Sequence, residues 1–411
     1  MNERWLIIAD DLTGAADAAV PFAQRGCSAE VLWGTSQADG DPDVLAFDAD
    51  TRRLSPSDAA DRHCDVFRLQ AGTSRRLYKK IDSTLRGQPA AEIAGLCRAM
   101  REAGRRGCVV FAPANPPMGR TTLDGRVLVR GQPLENTETW ARERSHSSAD
   151  LVAVLAGAGL RSVKLPLRDL RAGGAAAIRA AVEEAGHGAN TVLVCDAETT
   201  QDLDLIALEA RALPGTGFFA GSAGLASALA GVSAGAVPRT IELDTARSGT
   251  LIAVGSPARI SREAAARLAQ HLGTELVRVE TGAMIDGPSL ALFSLGIATR
   301  LMKGEDVVVR LESPMGSEPD SQYAHVFAGV LAPALRHMGG LIVTGGETAA
   351  ALLAECYVDG IQLLDEIEPG MALGVTRGKV RVPIVTKPGA FGDEQSLVRC
   401  LNRMRELRKR Q

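Results

Sequence analysis

Three glycine-rich segments in the second half of the chain each follow an apolar run and precede a helical pattern. They are VGSP at 254–257, TGGET at 344–348 and KPGAFGDE at 387–394. In the third segment, Gly389 and Gly392 are the glycines that would let an anion approach the backbone. A helix N-terminus carries free backbone N–H groups and the positive end of the helix dipole, and glycine lets an anion approach the backbone. Glycine also makes ordinary tight turns, but three such segments meeting at one sheet edge would favour a polyphosphate or nucleotide site.

Two common nucleotide-binding motifs are absent. The chain has neither the G-x-x-x-x-G-K-[ST] P-loop nor a G-x-G-x-x-G fingerprint after its first apolar run, which argues against a P-loop enzyme and a dehydrogenase. The segment GAFGDE at 389–394 is similar to the glycine turn and catalytic Asp of ribokinase-like sugar kinases. One inserted residue breaks that match, so Asp393 is interpreted first as a cap of the following helix.

Charged and hydroxyl side chains gather in four short segments of the first half, at 9–14, 50–53, 78–87 and 117–122. Lysine, arginine and hydroxyl groups in this combination suit a ligand that carries a carboxylate and hydroxyls. Arg52 or Arg53 could bind a ligand carboxylate through two parallel hydrogen bonds from its planar guanidinium group. The candidate ligand contacts are Asp10, Asp11, Arg52 or Arg53, Lys80, Asp82, Ser83, Arg86 and Arg120.

The adjacent carboxylates Asp10 and Asp11 are expected to have different roles, because consecutive side chains diverge. One would orient a substrate hydroxyl, and the other would bond the loop or a magnesium-bound water. Either could instead cap the helix that begins near Thr13. The base that accepts the proton of the substrate hydroxyl could be Asp11, Asp10 or Asp82. We favour Asp11 for the substrate contact. Strand alternation places Lys80 and Asp82 on one face and Lys79 on the other.

The elements that position these residues repeat one order along the whole chain: a strand, a polar loop, a helix and the next strand. This pattern predicts an α/β fold of two domains with largely parallel sheets, crossover helices and a ligand cleft between them. A stretch rich in Gly, Pro and Ser near 231–249 predicts domains at 1–235 and 245–411. Residues 124–137 are predicted to form a hairpin outside the main sheet.

Composition restricts the function further. The formal net charge is -3 and the pI about 6.1, so no broad basic surface indicates nucleic acid or an anionic membrane as a partner. The seven cysteines form no C-x-x-C pair and the six histidines lie outside the glycine segments, which argues against zinc chemistry and a histidine triad. With no signal segment or apolar run of membrane length, we expect a cytoplasmic protein. A homo-oligomer is left open.

Seven motifs occur here in the order in which they occur in the four-carbon acid sugar kinase family, and the chain resembles that family over nearly its whole length. They are DDLTGAAD, KKIDSTLRG, PANPPMGRTT, GSAGLA, GSP, TGGET and KPGAFGDE. The resemblance implies ATP-dependent phosphorylation of the terminal hydroxyl of threonate, erythronate or 3-oxo-tetronate. It also implies that the N-terminal domain holds the acid and the C-terminal domain the nucleotide.

The resemblance assigns residues to both ligands. Acid contacts would be Asp11, Arg52, Lys80, Ile81, Asp82 and Ser83, and ATP contacts would be Ser256, Gly345, Gly346, Glu347, Thr348 and Gly389. Glycine-loop amides and Mg²⁺ would neutralise the phosphates, with Lys80 or Arg86 assisting and an aspartate orienting the attacking hydroxyl.

Two other functions remain open from the sequence. A nicotinamide- or metal-dependent enzyme acting on a similar acid would show no ATP dependence. A non-catalytic sugar-acid sensor would bind the acid without turnover, although it would have no use for a triphosphate site.

Overall fold

The computed structural model describes residues 3–70, 75–143, 148–186, 188, 190–233, 243, 249–280, 287–312 and 321–409. The chain divides into two compact units. The first consists of Met1–Cys27 and Asp41–Val237, and the second of Ser28–Gly40 and Pro238–Gln411. The domain limits 1–235 and 245–411 stay a prediction, since nearly all residues from 234 to 248 lie outside the described part.

The strands are short and mostly apolar. In chain order they are β1 Trp5–Ala9, β2 Ala29–Trp33, β3 Val44–Asp48, β4 Arg76–Lys80, β5 Cys108–Ala112, β6 Arg120–Leu123, β7 Arg126–Val129, β8 Gln132–Pro133, β9 Arg161–Leu165, β10 Thr191–Cys195, β11 Thr216–Gly221, β12 Thr250–Val254, β13 Val277–Glu280, β14 Val307–Glu312, β15 Gly340–Thr344, β16 Val358–Glu366, β17 Ala372–Gly378 and β18 Pro383–Lys387.

Helices connect most of these strands. They are α1 Leu12–Gln24, α2 Pro56–Leu69, α3 Pro89–Glu102, α4 Glu138–Glu143, α5 Leu151–Gly157, α6 Leu167–Ala185, α7 Thr200–Ala212, α8 Ala223–Gly231, α9 Arg259–Leu272, α10 Gly287–Met302, α11 Ser321–Leu335, α12 Gly346–Glu355 and α13 Ser396–Lys409. The alternation of strands and helices confirms the predicted α/β class.

The main sheet of the first unit has the strand order β3-β1-β4-β11-β5-β10-β9, and each of these neighbouring pairs is parallel. The chain passes from β1 to β3 on one side and then to β4 on the other, so the direction of winding changes at β1. In open α/β sheets, ligands bind beyond the carboxyl ends of the strands at such a switch point. The acidic turn at 10–11 follows β1 directly.

The sheet of the second unit has the order β13-β14-β12-β15-β18-β17-β16-β2. It is parallel from β13 to β18, and β18, β17, β16 and β2 then pair antiparallel. The winding changes direction at β12, which lies between β14 and β15. The antiparallel pairing of β2 with β16, more than 300 residues further along the chain, is not indicated by any sequence pattern.

The strands at both switch points are buried on both faces, which explains their uninterrupted apolar sequences. All five residues of β1 and of β12 are buried. In the first unit the Trp5 ring packs 5.7 Å from Phe22 of α1 and 6.0 Å from Phe219 of β11, measured between ring centroids. In the second unit, Leu268 of α9 and Leu401 of α13 pack in one cluster with the strand residues.

The segment predicted to form a hairpin outside the main sheet does so. β6, β7 and β8 make a separate antiparallel sheet of the first unit. Its turn is held by the buried Asp196, which accepts hydrogen bonds from the backbone N–H groups of Asp124 and Gly125. Within the described residues, no helix combines the length and apolar character that crossing a membrane requires.

Candidate active site

The acidic turn between β1 and α1 gives its two aspartates different surroundings. Asp11 is the N-cap of α1: its Oδ1 accepts from the backbone N–H of Gly14 and its Oδ2 from the Thr13 hydroxyl, each at 2.8 Å. A Cβ at position 14 would lie 2.6 Å from Asp11 Oδ1, so only glycine lets the carboxylate fold back over the helix start. Asp10 is buried, and its backbone carbonyl accepts from the N–H of Arg52 at 3.2 Å. The capping alternative is thus confirmed for Asp11.

The Arg52 guanidinium links the carboxylates of this turn. Its Nε and Nη2 donate to the two oxygens of Asp10 at 2.7 and 3.1 Å, and its Nη1 donates to Asp11 Oδ2 at 2.7 Å. Asp82 Oδ2 lies 3.9 Å from Nη2. This is the planar, bidentate geometry that distinguishes arginine from lysine. The side chain expected to hold a ligand carboxylate therefore binds the protein's own carboxylates, and its contact with an acid stays a prediction.

The buried charges of this cluster keep two of its aspartates ionised. Burial alone would raise the pKa of Asp10, but attraction to Arg52 and Lys79 outweighs burial and leaves that pKa below its ordinary value. Burial is likewise outweighed at Asp82, where Arg86 and Arg52 hold the pKa well below the usual range. Carboxylates of such low basicity are poor proton acceptors, so these two suit binding and orientation better than general base catalysis.

Asp82 lies in the turn after β4 and not on the strand. Its Oδ1 accepts from the backbone N–H of Thr84 at 2.9 Å, and its Oδ2 accepts from Arg86 Nη2 at 2.6 Å. The Lys80 ammonium lies instead 3.7 Å from Asp17 of α1. Because β4 ends at Lys80 and Asp82 begins the turn that closes at Leu85, strand alternation does not determine the side on which Asp82 lies, and the shared face of Lys80 and Asp82 stays a prediction.

A buried ion pair lies behind the Arg52 loop. Lys79, fully buried, pairs with Glu92 of α3 at 2.9 Å, and the Thr51 hydroxyl donates to the other oxygen of Glu92 at 2.6 Å. Lys79 thus contacts α3 while Lys80 contacts α1, as strand alternation predicts. Because Thr51 precedes Arg52, this network fixes the loop that presents the guanidinium. The sequence analysis did not identify Glu92, whose position inside a helix gives no signal of its partner.

The remaining predicted acid contacts lie around the same turn. Ile81 is buried, and its backbone N–H bonds to β11, whereas Ser83 is half-buried in the turn after β4. Arg120 begins β6 and is half-buried. Burial lowers its pKa, and Arg86 lowers it further, while Asp82 acts in the opposite direction. A third guanidinium, after those of Arg86 and Arg52, thus lies close to the Asp82 turn.

Two further carboxyls near the turn have raised pKa values, and the sequence analysis did not select them. Burial raises the pKa of Asp17, despite its contact with Lys80. Burial and the nearby Asp11 raise the pKa of Asp48 well above its usual range. Asp48 ends an apolar strand in the same way that Asp10 follows one, so the pattern that identified Asp10 also marks Asp48.

The three glycine segments of the second unit converge as expected. β12, β15 and β18 are adjacent and parallel, so the loops that follow them lie at one sheet edge. The contacts are close: a Cβ on Gly389 would lie 1.9 Å from Ser256 Oγ, and one on Gly255 would lie 2.0 Å from Thr348 Oγ1. Gly345, with a φ of +94°, has a conformation that favours glycine. Their contact with ATP stays a prediction.

The turn after β15 runs directly into α12. Gly346 is the first residue of that helix, followed in the first turn by the half-buried Glu347 and the buried Thr348. The backbone carbonyl of Gly345 accepts from Ala349, which closes the first helical turn. The amides at this helix start thus lie beside the loop after β12, in the arrangement that binds anions in other proteins.

The last glycine loop ends directly before α13. Gly392 has a φ of +80°, and a Cβ there would lie 2.2 Å from Ser396 Oγ. Asp393 Oδ1 accepts from the backbone N–H of Gln395 at 2.8 Å and from Arg399 of α13 at 2.6 Å. The Arg399 bond is the main reason that the pKa of Asp393 lies below its ordinary value. Asp393 therefore holds the loop before α13 through Gln395 and contacts the helix through Arg399, while its role as a helix cap stays a prediction.

Lys387, the last residue of β18, is a second buried lysine that the sequence analysis did not select. It is 0% exposed, and burial lowers its pKa to about 8. Its ammonium group donates to the carbonyl of Pro388 at 3.2 Å and to the hydroxyl of Ser261 at 3.4 Å. A lysine at the end of the apolar run PIVTK, directly before a glycine loop, was the available signal.

No group of three or more His, Cys, Asp or Glu side chains within the described ranges is arranged to hold a metal ion. The carboxylates of the acidic turn are instead paired with Arg52, and Asp82 with Arg86. A Mg²⁺ ion that is bound mainly by phosphate oxygens and water requires only one or two protein carboxylates. The residues present fit that mode and not an all-protein cage.

Residues 5–229 match the family described as sugar-binding N-terminal domain, and residues 251–397 match the family described as nucleotide-binding C-terminal domain. The two matched segments contain the acidic turn and the three glycine loops, respectively.

Relatives of known activity align over the whole chain. A D-threonate kinase of Cupriavidus necator is 39% identical, covering 98% of this chain and 99% of the relative. A D-threonate kinase of Salmonella typhimurium is 31% identical, with 98% and 99% covered. A D-erythronate kinase of Heliobacterium modesticaldum is 29% identical, with 97% and 96% covered.

The fold is also found in a solved structure from Salmonella typhimurium. It has a TM-score of 0.81 at 19% identity and covers 98% of this chain and 99% of that one. A solved structure from Haemophilus influenzae has a TM-score of 0.73 at 18% identity, with 97% and 99% covered. These similarities concern the fold alone.

Proposed function

The chain belongs to the four-carbon acid sugar kinase family, and on that premise we propose that this sugar-acid kinase uses ATP to phosphorylate the terminal hydroxyl of a four-carbon sugar acid. The hydroxyl oxygen attacks the γ-phosphorus, the bond to the β,γ-bridging oxygen breaks, and the products are the acid 4-phosphate and ADP. The hydroxyl proton passes to a nearby carboxylate.

The observation that carries the proposal is the convergence of three glycine loops at the ends of β12, β15 and β18. Such a surface of backbone amides and helix starts suits a polyphosphate. We assign Ser256, the turn 345–348, Gly389 and Gly392 to ATP. A Mg²⁺ ion that accompanies the nucleotide would supply positive charge to offset the negative charge that develops on the phosphates.

In the first unit, the acid would bind beyond the ends of β1, β3 and β4. We assign Asp10, Asp11, Arg52, Lys80, Ile81, Asp82, Ser83, Arg86 and Arg120 to this site. Phosphoryl transfer passes through a loose transition state, so the need is for orientation of the hydroxyl more than for a strong base. Asp11 is our choice for that role, with Asp82 and Lys80 completing the catalytic set.

The test is a coupled assay of ADP release with D- and L-threonate, D- and L-erythronate and 3-oxo-tetronates. D-Threonate is the first candidate, because the 39% and 31% identical relatives are named D-threonate kinases. We expect ADP only when an acid is present, and a phosphorus NMR signal coupled to two C4 protons in the product. Acid binding without ADP would indicate a sensor, and conversion without ATP would indicate a nicotinamide- or metal-dependent enzyme.

A further inference from the structure

Lys387 is a buried cation at the root of the last glycine loop. Its ammonium group bonds to two oxygens, the carbonyl of Pro388 and the hydroxyl of Ser261. In the part of the chain that the structure describes, it has no ion pair with a carboxylate. A buried charge without a counterion is costly, so a fold that retains one at a loop of this kind has a use for the charge.

The bonds from Lys387 help to orient two peptide groups, although the Pro388 carbonyl also accepts from the backbone N–H of Phe391 at 3.3 Å. Ser261 accepts from the lysine and its own hydroxyl donates to the carbonyl of Gly389 at 2.7 Å. The carbonyls of Pro388 and Gly389 are therefore both directed toward the lysine side of the loop. In a trans peptide the N–H of the next residue points opposite to the carbonyl, and the described chain has no cis peptides.

The N–H groups of Gly389 and Ala390 consequently point away from Lys387. Neither donates a hydrogen bond to another described residue. Gly389 also packs directly on Ser256 of the loop after β12, so these donors lie where the glycine loops meet. Two adjacent amides without an acceptor, in a glycine turn, form the type of concavity that binds an oxyanion.

We propose that Lys387 is a positioning residue for the nucleotide: it directs the carbonyls of Pro388 and Gly389 inward so that the next two amides face a phosphate group. It acts through the loop, and its positive charge favours the anion at that point. This inference rests on the proposed use of ATP and adds a residue that belongs to none of the ATP contacts given above.

The charge of Lys387 gives the inference a pH signature. Burial lowers the pKa of its ammonium group to about 8, and three groups raise it, namely Cys400 of α13, Glu368 before β17 and Asp393 of the loop. The lysine is therefore charged at neutral pH and loses its proton above about pH 8. The neutral amine donates more weakly and supplies no charge, so the affinity for ATP should fall over that interval.

The experiment compares wild type, K387M, S261A and the control K379M, whose lysine is exposed in the same unit. KM values for ATP and for the acid, and kcat, are measured from about pH 6.5 to 9.5, and thermal unfolding confirms that each variant folds. We expect K387M to raise KM for ATP about tenfold and to leave KM for the acid within about twofold. S261A should raise KM for ATP less, because one of the two carbonyls keeps its partner.

The wild-type KM for ATP should rise above about pH 8, and this rise should be absent in K387M. A folded K387M whose KM for ATP stays within about twofold of wild type overturns the inference, and so does an equal rise in K379M. If K387M does not fold, S261A is the test. An unchanged KM for ATP in S261A would contradict the proposed role of the hydrogen bonds from Lys387 through Ser261 to the Gly389 carbonyl. If no acid supports ADP release, the proposed function fails, and calorimetric ADP binding by the same variants still tests Lys387.

Discussion

Removing the Arg52 guanidinium tests how the candidate acid site is held together. The side chain makes three hydrogen bonds to Asp10 and Asp11 and is only 20% exposed, while Asp10 is 2% exposed. In R52M, Asp10 would be left buried and ionised without its main counterion. Methionine is similar in length and apolar, so the substitution removes the charge and the fork while retaining most of the packing volume.

The expected loss of stability is large. Breaking a buried ion pair by removing one partner costs about 3–5 kcal/mol, and the low exposure leaves little solvent screening to reduce that figure. For a folding unit of roughly 200 residues, 1 kcal/mol shifts Tm by about 2–4 °C. R52M should therefore melt about 10 °C below wild type at neutral pH.

The sign of the pH dependence follows from the two lowered pKa values. Asp10 and Asp82 have folded pKa values below their ordinary ones, so their contribution is present above about pH 4 and is lost as pH falls through the folded values. Protonated carboxyls need no counterion. The difference in Tm between R52M and wild type should therefore shrink as pH is lowered from about 7 toward 3.

Differential scanning calorimetry measures both effects, and R53M is the matched control. Arg53 is adjacent in sequence and exposed, so its replacement should change stability by no more than about 0.5 kcal/mol. If R52M melts within about 2 °C of R53M at neutral pH, the ion cluster does not stabilise the site and the reasoning is refuted. A difference that persists undiminished in acid would refute the assigned pKa directions.

Three further predictions address the rest of the proposed machinery. D11N should lower kcat at least about 100-fold with little change in ADP binding by calorimetry, and wild-type turnover would remove Asp11 from the catalytic set. G389A should raise KM for ATP at least about tenfold, because its Cβ would lie 1.9 Å from Ser256 Oγ, and the KM for the acid should not follow it. E92Q should lower the free energy of unfolding by about 3 kcal/mol in urea titrations, since Lys79 would lose its buried partner, and an unchanged midpoint would show that the pair contributes nothing.

Local sequence patterns were sufficient to predict the α/β class, the hairpin at 124–137, the start of α1 and the convergence of the glycine loops. Burial on both faces and glycine between strand and helix both leave a local signature. An ion pair between residues that are far apart in the chain leaves no such local signature in the sequence. Arg52 was identified as a binder of carboxylates, but its preference for Asp10 and Asp11 depends on which loops the sheet order brings together. Glu92 was missed for the same reason, since its partner Lys79 is distant in the chain. Lys387 did leave a local signal, as the lysine that ends the apolar run PIVTK before a glycine loop, but its burial could not be inferred from that signal.

The strand β2 has a consequence for how this molecule can be divided. The chain leaves the first unit after Cys27, adds β2 to the second unit and returns at Asp41, before it passes to the second unit again at Pro238. A single cut near residue 240 would thus remove β2 from β16 and expose an unpaired edge on the C-terminal fragment, which invites aggregation. During synthesis, more than 300 further residues are added after β2 before its partner strand β16 leaves the ribosome. The sheet of the second unit is therefore complete only when residues 28–40 are present. We expect an added peptide of residues 28–40 to restore the solubility of a fragment that begins near residue 240.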